Sequence, residues 1–252
     1  MIGRLLERFQ SVRVENLTSN IPEDMLELYF EKWAGPAKDI TVFHEEQAAI
    51  VTFHAPEDNT SVSLPALWDE MKCSLLMLVP LTPGSKGYND VEKKFRKTLL
   101  RIERVQNDSL WKSYQIRKNL LEEKNKHTNN EKLLFHGTSS NSITQINSHG
   151  FNRSYAGTHG AAIGNGSYFA VDSSYSANVY SKADAQGIKC MYLARVLVGD
   201  YTRGQEGLIV PPAKPSGKDD DLYDSVTDNT SNPTMFVIFS DVQAYPEYLI
   251  TF

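Results

Sequence analysis

Three short motifs follow one another in the second half of the chain, and their order constrains the fold more than any other feature. The first, His136-Gly137-Thr138, ends a short apolar run, Leu-Leu-Phe. The second is Gly164–Ala170, with the sequence GNGSYFA, and the third is Tyr175–Asn178, with the sequence YSAN. His-Gly alone is weak evidence, because a buried strand-end histidine bonded to backbone gives the same pair. The ordered set is far more specific than any of its parts.

This ordered set resembles the NAD-binding core of the PARP family of ADP-ribosyltransferases, which have the diphtheria-toxin-type fold. The resemblance covers residues 64–252, and it implies an α+β catalytic domain built on a split antiparallel β-sheet. The segments 152–157 (NRSYAG) and 245–252 (YPEYLITF) are most similar to the macrodomain-bearing mono-ADP-ribosyltransferases. No macrodomain is visible in this sequence.

Hydrophobic patterning is compatible with that fold class. Strands dominate the region without β-α-β repetition, which favours α+β over a doubly wound parallel sheet. The segment 154–165 is rich in glycine and small residues and predicts a loop. Predicted strands cover residues 74–79 (buried), 102–106, 133–135, 191–198, 208–210, 235–240 and 248–252, and predicted helices cover 90–97, 109–124, 142–148 and 173–179.

A smaller unit precedes the catalytic region. Alternation predicts strands at 12–17, 40–44 and 48–54, and a capping pattern predicts a helix start at Asn20–Glu23. The order strand, helix, strand, strand resembles the first two thirds of an RNA-recognition motif (RRM). We therefore expect a partial RRM-like segment at 10–58 and the catalytic domain at 64–252, with the polar stretch Asp58–Ser61 as the boundary.

RNA binding is not expected of this smaller unit. RNA-recognition motifs stack bases on aromatic rings of their two central strands. This chain has Arg13, Ala48 and Ile50 at those positions. Each missing stack forgoes roughly 1–3 kcal/mol per base. A protein-contact module or a vestigial one is the better interpretation.

The resemblance also assigns roles to individual residues. It implies that His136 hydrogen-bonds the nicotinamide-side ribose and that Tyr168 stacks on the nicotinamide ring; the alternative for Tyr168 is a core tyrosine. Met235 falls on the third catalytic position. The expected NAD-binding set is His136, Gly137, Thr138, Asn152, Arg153, Tyr168, Ser176 and Tyr180.

Four members of that set have more specific expected roles. The backbone N–H and C=O of Gly137 hydrogen-bond the carboxamide, and the absence of a Cβ on this residue lets the ligand come close. Ser176 bonds the carboxamide oxygen, and Tyr180 gives a second aromatic face. Asn152 and Arg153 are adenosine contacts, with a solvated surface charge as the alternative for Arg153. Thr138 is either a ribose neighbour or a turn-capping hydroxyl.

The residue type at Met235 determines how many ADP-ribose units we expect the protein to transfer. Chain-building family members have Glu at this position, where the carboxylate polarises the acceptor ribose hydroxyl. A thioether cannot accept a strong hydrogen bond or take a proton. The resemblance therefore implies transfer of single ADP-ribose units, for which an ionised protein carboxylate is a competent acceptor. Glu247 is expected to be an ordinary exposed residue. Asn165 stands where relatives commonly have Lys, which removes a charge contact.

The composition limits the partners and the cellular compartment that we expect for this chain. The net charge is −5 and the pI about 5.7, so no basic field attracts nucleic acid. Two cysteines, Cys73 and Cys190, fit a reducing compartment. The longest apolar run, Leu75–Pro80, is too short to cross a bilayer. We expect an intracellular protein, cytoplasmic or nuclear, without a membrane partner. No histidine or cysteine spacing predicts a metal site.

These expectations define one function and two alternatives. The first is an NAD-dependent protein mono-ADP-ribosyltransferase that uses NAD as substrate and proteins as acceptors. The alternatives are a catalytically silent module that binds NAD or ADP-ribose, and an RNA-associated adaptor led by the N-terminal unit. The sequence carries no signal for an oligomeric state.

Overall fold

A computed structural model describes residues 11–14, 17, 26, 37–53, 62–72, 74–95, 97–153, 162–215 and 221–252. The chain divides into two compact units, Met1–Ser61 and Val62–Phe252, and each is described by itself. The predicted helix start at Asn20–Glu23 and the polar stretch Asp58–Ser61 lie outside the described residues. Leu26, in the segment after that helix start, is helical and buried.

The N-terminal unit contains a three-stranded antiparallel sheet. Its strands are β1 (Ser11–Val14), β2 (Ala37–Phe43) and β3 (Ala48–Phe53), in the order β1-β3-β2. All three predicted strands are therefore present, although β1 ends before Leu17. The buried side chains of this sheet pack with Leu26 in one small apolar cluster.

The three positions that would carry stacking rings lie on the two adjacent strands β1 and β3. Arg13 pairs with Ile50, and the Arg13 guanidinium donates to the Glu46 carboxylate at 2.6 Å. Ala48 is fully buried and offers no surface to a base. The expected absence of RNA binding stays a prediction, and these positions are consistent with it.

The second unit is built on one nine-stranded sheet, with the order β4-β5-β12-β8-β6-β7-β11-β10-β9. The expected α+β class is confirmed. The strands are β4 (Leu76–Pro80), β5 (Arg101–Asn107), β6 (Glu131–Thr138), β7 (Ser167–Ala170), β8 (Cys190–Leu197), β9 (Tyr201–Arg203), β10 (Ser225–Thr227), β11 (Met235–Ile238) and β12 (Ala244–Thr251).

The sheet is split near its middle, as predicted. Strands β6 and β7 share one residue pair, Phe135 with Ala170, whereas β6 and β8 pair over their full length. Five strands lie on one side of this junction and four on the other. Neighbouring strands are antiparallel except β9 and β10, which pair in parallel at the edge.

Strand β8 forms the centre of the larger half, and its sequence explains why. CMYLARVL is almost continuously apolar, as expected for a strand covered on both faces. Met191 and Leu193 contribute to the apolar cluster on one face, while Tyr192 and Ala194 contribute to the cluster on the other. The alternation of a β-strand therefore divides the core into two layers.

Among the described residues, three α-helices of seven residues or more accompany the sheet: α1 (Lys86–Glu92), α2 (Asp108–Asn125) and α3 (Ile143–His149). The Asn107 side chain begins α2 by accepting a hydrogen bond from the Leu110 N–H at 3.1 Å. Gly150 ends α3 with a φ of 77°, which favours glycine. Short 3₁₀ turns lie at Ser140–Ser142 and Asp241–Gln243.

Four sequence predictions of local structure need correction. Helix α1 begins before the predicted residue 90, because the Ser85 hydroxyl caps it, and it ends at Glu92. Strand β4 is an edge strand with half-exposed side chains, not a buried one. Residues 208–210 are not a strand; Ile209 is 68% exposed. Strands β9 and β10 were not predicted, because three residues are too few for a periodic pattern.

Glu247 is not the exposed residue that the sequence suggested. Its carboxylate lies 2.8 Å from the Arg195 guanidinium, and its side chain is only 13% exposed. Arg195 also pairs with Glu131 at 2.8 Å, and Glu131 accepts from the Tyr114 hydroxyl at 2.7 Å. Burial raises the pKa of Glu247 even beside Arg195. These four side chains thus form a half-buried ionic network between α2, β6, β8 and β12.

We predict that Glu247→Gln lowers the free energy of unfolding by about 2 kcal/mol, because it removes one charge from this buried network. Urea denaturation measures the effect. Glu206→Gln is the matched control, since Glu206 is exposed, and it should change stability by less than about 0.5 kcal/mol. Equal stability of the two variants would show that the network contributes nothing.

Candidate active site at the split of the sheet

A cavity of about 540 Å³ opens beside the junction of the two half-sheets. Its wall is built by the end of β6, by α3 and the residues after it, by β7, and by the turn that follows β7. Eight of the nine residues singled out from the sequence line this cavity. They are His136, Gly137, Thr138, Asn152, Tyr168, Ser176, Tyr180 and Met235.

His136 is held by a hydrogen bond across the split. Its Nδ1 lies 2.8 Å from the backbone carbonyl oxygen of Tyr168. A carbonyl only accepts, so Nδ1 carries the proton and Nε2 of the neutral ring is a free acceptor. Burial among Phe151 and Phe169, whose ring centres lie 4.9 Å and 5.3 Å away, lowers the pKa of His136 below its ordinary 6.5. The site therefore contains a neutral imidazole.

Tyr168 is fixed at both ends. Its backbone pairs with Val237 in β11, and its hydroxyl donates to the Gly164 carbonyl at 2.8 Å. The same hydroxyl accepts from the Ile163 N–H at 3.2 Å. Burial raises the pKa of Tyr168, so the hydroxyl stays protonated. Tyr168 consequently lines the cavity from a position held at both ends, and it also packs against the apolar cluster of Val226, Val237 and Phe239.

The turn after β7 closes the cavity. A short α-turn, Ser173–Tyr175, continues as a π-helical turn, Ser176–Tyr180, where a regular helix over 173–179 was predicted. Tyr175 and Tyr180 pack edge to face with ring centres 5.7 Å apart. Burial and a hydrogen bond with Tyr175 raise the pKa of Tyr180 to about 12. The π-turn places Ser176 and Tyr180 on one wall of the cavity.

The hydroxyl of Ser176 already has a partner for its proton. It donates to the Phe135 carbonyl at 3.1 Å, and the side chain is buried. In this arrangement the oxygen keeps lone pairs that can accept a hydrogen bond. The role expected from the sequence, donation to a carboxamide oxygen, needs a rotation of the hydroxyl. The Ser176 oxygen can instead accept a hydrogen bond from the carboxamide nitrogen without any rotation of the hydroxyl.

Gly137 is required by packing, a reason the sequence did not reveal. A Cβ at this position would lie 2.5 Å from the Ser176 carbonyl oxygen and 2.8 Å from the Tyr180 Cβ. The π-turn therefore fills the space that glycine leaves, and the expected contact of the Gly137 backbone with a carboxamide stays a prediction. The absence of a side chain lets this turn approach β6 and form the cavity wall.

Met235 is the first residue of β11 and lines the cavity. It pairs with Ala170, which in turn pairs with Phe135 beside His136. Asp228 fixes the preceding loop, since its carboxylate accepts from the Thr234 N–H at 3.0 Å and the Met235 N–H at 3.1 Å. The residue expected at the third catalytic position therefore brings a thioether to the cavity on a well-held backbone, and Glu247 is not part of the cavity wall.

Comparison with known proteins agrees with this geometry. Residues 85–204 match the poly(ADP-ribose) polymerase (PARP) catalytic domain, and residues 9–66 match the third RRM domain of PARP14. The second unit carries a PARP-family catalytic domain. It is 51% identical to human protein mono-ADP-ribosyltransferase PARP14 over 199 residues, which are 77% of this chain and 11% of PARP14.

Two further relatives are also named protein mono-ADP-ribosyltransferases. Protein mono-ADP-ribosyltransferase PARP12 of the mouse is 39% identical over 82% of this chain and 29% of its own length. Human protein mono-ADP-ribosyltransferase PARP11 is 38% identical over 77% of this chain and 65% of its own length. The chain thus spans a small part of PARP14 and PARP12 and just under two thirds of PARP11.

Two residues expected to matter for this PARP site lie outside the cavity wall. The Arg153 guanidinium donates to the Phe239 carbonyl at 2.6 Å, and its backbone N–H donates to Asp241 at 3.0 Å. Arg153 is therefore neither a cavity residue nor a simple solvated charge. Asn165 is exposed, and its backbone N–H donates to the Leu208 carbonyl at 2.7 Å. Most of the predicted loop, residues 154–161, lies outside the described residues.

Sequence reasoning missed Gln145, Ile146 and Phe151, which also line the cavity. The only signal for them was the predicted helix that became α3, which does not show which face is turned to the cavity. Within the described ranges, no three His, Cys, Asp or Glu side chains are grouped as metal ligands. No helix in the described part of this chain has the length and apolar character to cross a bilayer.

We predict that Gly137→Ala destabilises the fold by about 1–3 kcal/mol, because the new methyl group collides with the π-turn. Thermal or urea unfolding measures the loss. Gly87→Ala is the control: its Cβ would meet nothing closer than 3.5 Å, so it should not destabilise α1. A Gly137→Ala variant as stable as the parent protein would show that the turn is not held against β6.

Proposed function

We propose that this chain is an NAD-dependent protein mono-ADP-ribosyltransferase that transfers single ADP-ribose units to protein side chains and releases nicotinamide. The observation that carries the proposal is the neutral His136 imidazole, fixed by the Tyr168 carbonyl in a cavity that also contains Met235. The relatives PARP14, PARP12 and PARP11 are named mono-ADP-ribosyltransferases, which supports transfer of single units.

The cavity has properties that suit a dinucleotide. Its volume of about 540 Å³ lies within the range of small-molecule sites. Tyr168 and Tyr180 give two aromatic faces, which suit the cationic nicotinamide ring. Beyond Phe135, β6 has no described strand partner on its β7 side, so edge backbone groups near Gly137 are available to a carboxamide.

When bound, NAD supplies an ADP-ribosyl group on a neutral leaving group, nicotinamide, through an oxocarbenium-like transition state. The residues of the chain bind and orient it. His136 Nε2 accepts a hydrogen bond from a ribose hydroxyl, because the Nδ1 proton is held by Tyr168. Phe151 and Phe169 exclude water around the imidazole, which strengthens that hydrogen bond.

Met235 limits the reaction to one unit. Elongation must activate a ribose hydroxyl, a weak nucleophile, and general-base help in such a step is typically worth about 10²–10⁴-fold. A thioether gives none. An ionised protein carboxylate needs no base, so acidic side chains are the acceptors that fit this site.

A catalytically silent NAD- or ADP-ribose-binding module is the second candidate. Two observations favour it: Met235 replaces a carboxylate, and the exposed Asn165 supplies no charge. The presence of His136 and Tyr168, each held by hydrogen bonds in the cavity wall, favours an active transferase over a silent module.

The proposal also covers the domain organisation, the binding partners and the cellular location of the chain. We propose that residues 10–58 are a partial RRM-like segment that serves protein contact or is vestigial, and that residues 64–252 are the catalytic domain. Protein acceptors are the partners, and nucleic acid and membranes are not. The two-cysteine composition supports an intracellular location, cytoplasmic or nuclear.

We predict that His136→Ala lowers transfer by about 10²-fold or more, because a hydrogen bond to the reacting ribose is lost. Label incorporated from radioactive NAD measures activity, and circular dichroism confirms folding. His149→Ala is the control, since His149 is exposed at the end of α3 and lies outside the cavity wall. Undiminished labelling by folded His136→Ala would refute the site assignment.

We predict that the protein makes discrete single-unit adducts even after long incubation at high NAD. Intact-protein and peptide mass spectrometry measure the number of units at each modified side chain. Folded Glu247→Gln should keep transfer activity, because Glu247 lies outside the cavity wall. Met235→Glu need not create a polymerase, since an acceptor chain must also be seated. Polymer ladders, or inactivity of folded Glu247→Gln, would place the third residue elsewhere.

A further inference from the structure

The cavity wall is almost uncharged, and Lys182 is the exception. Among the described residues of the wall, it is the only one whose side chain is charged at neutral pH, because burial keeps His136 neutral. Lys182 is exposed and forms no ion pair with any described residue. A single cation in an otherwise neutral binding cavity indicates an anionic part of the ligand.

Lys182 also borders a second, open depression, here called the polar shelf. The polar shelf adjoins the cavity and shares Ser139, Asn141 and Lys182 with it, and Ser140, Asp184 and Gln186 complete its polar lining. No ion pair joins Lys182 to Asp184, whose Oδ1 instead accepts from the Gln186 and Ile188 N–H groups of its own turn, each at 2.9 Å. The polar shelf therefore combines the exposed Lys182 ammonium with hydroxyl and amide groups and with this turn-capping carboxylate.

The backbone before Lys182 is fixed, and the Lys182 side chain is exposed. Both the N–H and the hydroxyl of Ser181 donate to the Ser176 carbonyl, at 2.9 Å and 3.1 Å. The four-carbon stem of a lysine then lets its ammonium reach a ligand at the junction of the cavity and the polar shelf.

Other cations near the site are engaged elsewhere. The Arg153 guanidinium is bonded to Phe239, the Lys189 ammonium donates to the Ala177 carbonyl at 3.1 Å, and Lys97 donates to Asn178 at 2.7 Å. None of these three side chains lines the cavity. Within the described part of the chain, Lys182 is thus the group placed to meet a negative charge.

We propose that Lys182 binds the diphosphate of the dinucleotide, with Ser139 and Asn141 adding hydrogen bonds from the polar shelf. This inference rests on the proposed function. Two ionised phosphates lose hydration when they enter a cavity, and an unpaired buried charge is costly. An ammonium compensates that cost with charge-assisted hydrogen bonds. Lys182 then determines affinity for the phosphate-bearing part of NAD and not for nicotinamide.

Isothermal titration of the full chain tests the assignment with two probes, ADP-ribose and nicotinamide. Lys182→Ala should weaken ADP-ribose binding about tenfold and reduce its salt dependence, since one charge-assisted contact is lost. Nicotinamide, which carries no phosphate, should bind as before. Lys182→Arg should keep most of the affinity for ADP-ribose, and Lys86→Ala, an exposed lysine outside the cavity wall, should change neither.

The outcomes separate this inference from the proposed function. If Lys182→Ala binds ADP-ribose as the parent protein does, or weakens both probes equally, the phosphate assignment is wrong and the proposed function stands. An unchanged ADP-ribose affinity with a raised KM for an acidic acceptor peptide would instead assign Lys182 to the acceptor. A parent protein that binds neither probe overturns both proposals.

Discussion

The hydrogen bond from His136 Nδ1 to the Tyr168 carbonyl is the interaction on which the site depends. It crosses the place where β6 and β7 share only one residue pair, so it joins the two half-sheets where strand pairing has nearly ended. The same bond fixes the imidazole tautomer. One contact therefore links the architecture of the sheet to the chemistry of the cavity.

The split itself makes the cavity possible. A continuous sheet would satisfy the backbone of β6 with a neighbouring strand, whereas the split leaves that edge open beyond Phe135. The π-turn Ser176–Tyr180 covers the opening, and Gly137 allows it to approach. Asp228 holds the loop before Met235 on the other side of the junction. The described walls are thus held by packing and by backbone contacts within the chain.

The resemblance carried by the ordered motifs implied the split sheet, and eight of the nine residues singled out from the sequence line the cavity, because the motifs fall at the strand ends that meet there. It did not predict what depends on three-dimensional contacts. Glu247 was expected at the surface, but Arg195, distant in sequence, pairs with it. Arg153 was expected as an adenosine contact or a solvated charge, and the hydrogen bond from its guanidinium to the Phe239 carbonyl was not foreseen. The glycine at 137 was explained by a ligand alone, and its packing against the π-turn was not foreseen.

The central claim is that His136 is a neutral imidazole with its proton on Nδ1 and a free acceptor at Nε2. Nitrogen NMR of the protein labelled at histidine, with His136→Ala used for assignment, measures the protonation of both ring nitrogens. The account predicts a protonated Nδ1 and an unprotonated Nε2 at pH 7, with the imidazolium appearing at lower pH than in an ordinary histidine, since burial lowers the pKa. A protonated Nε2 at pH 7 would contradict it.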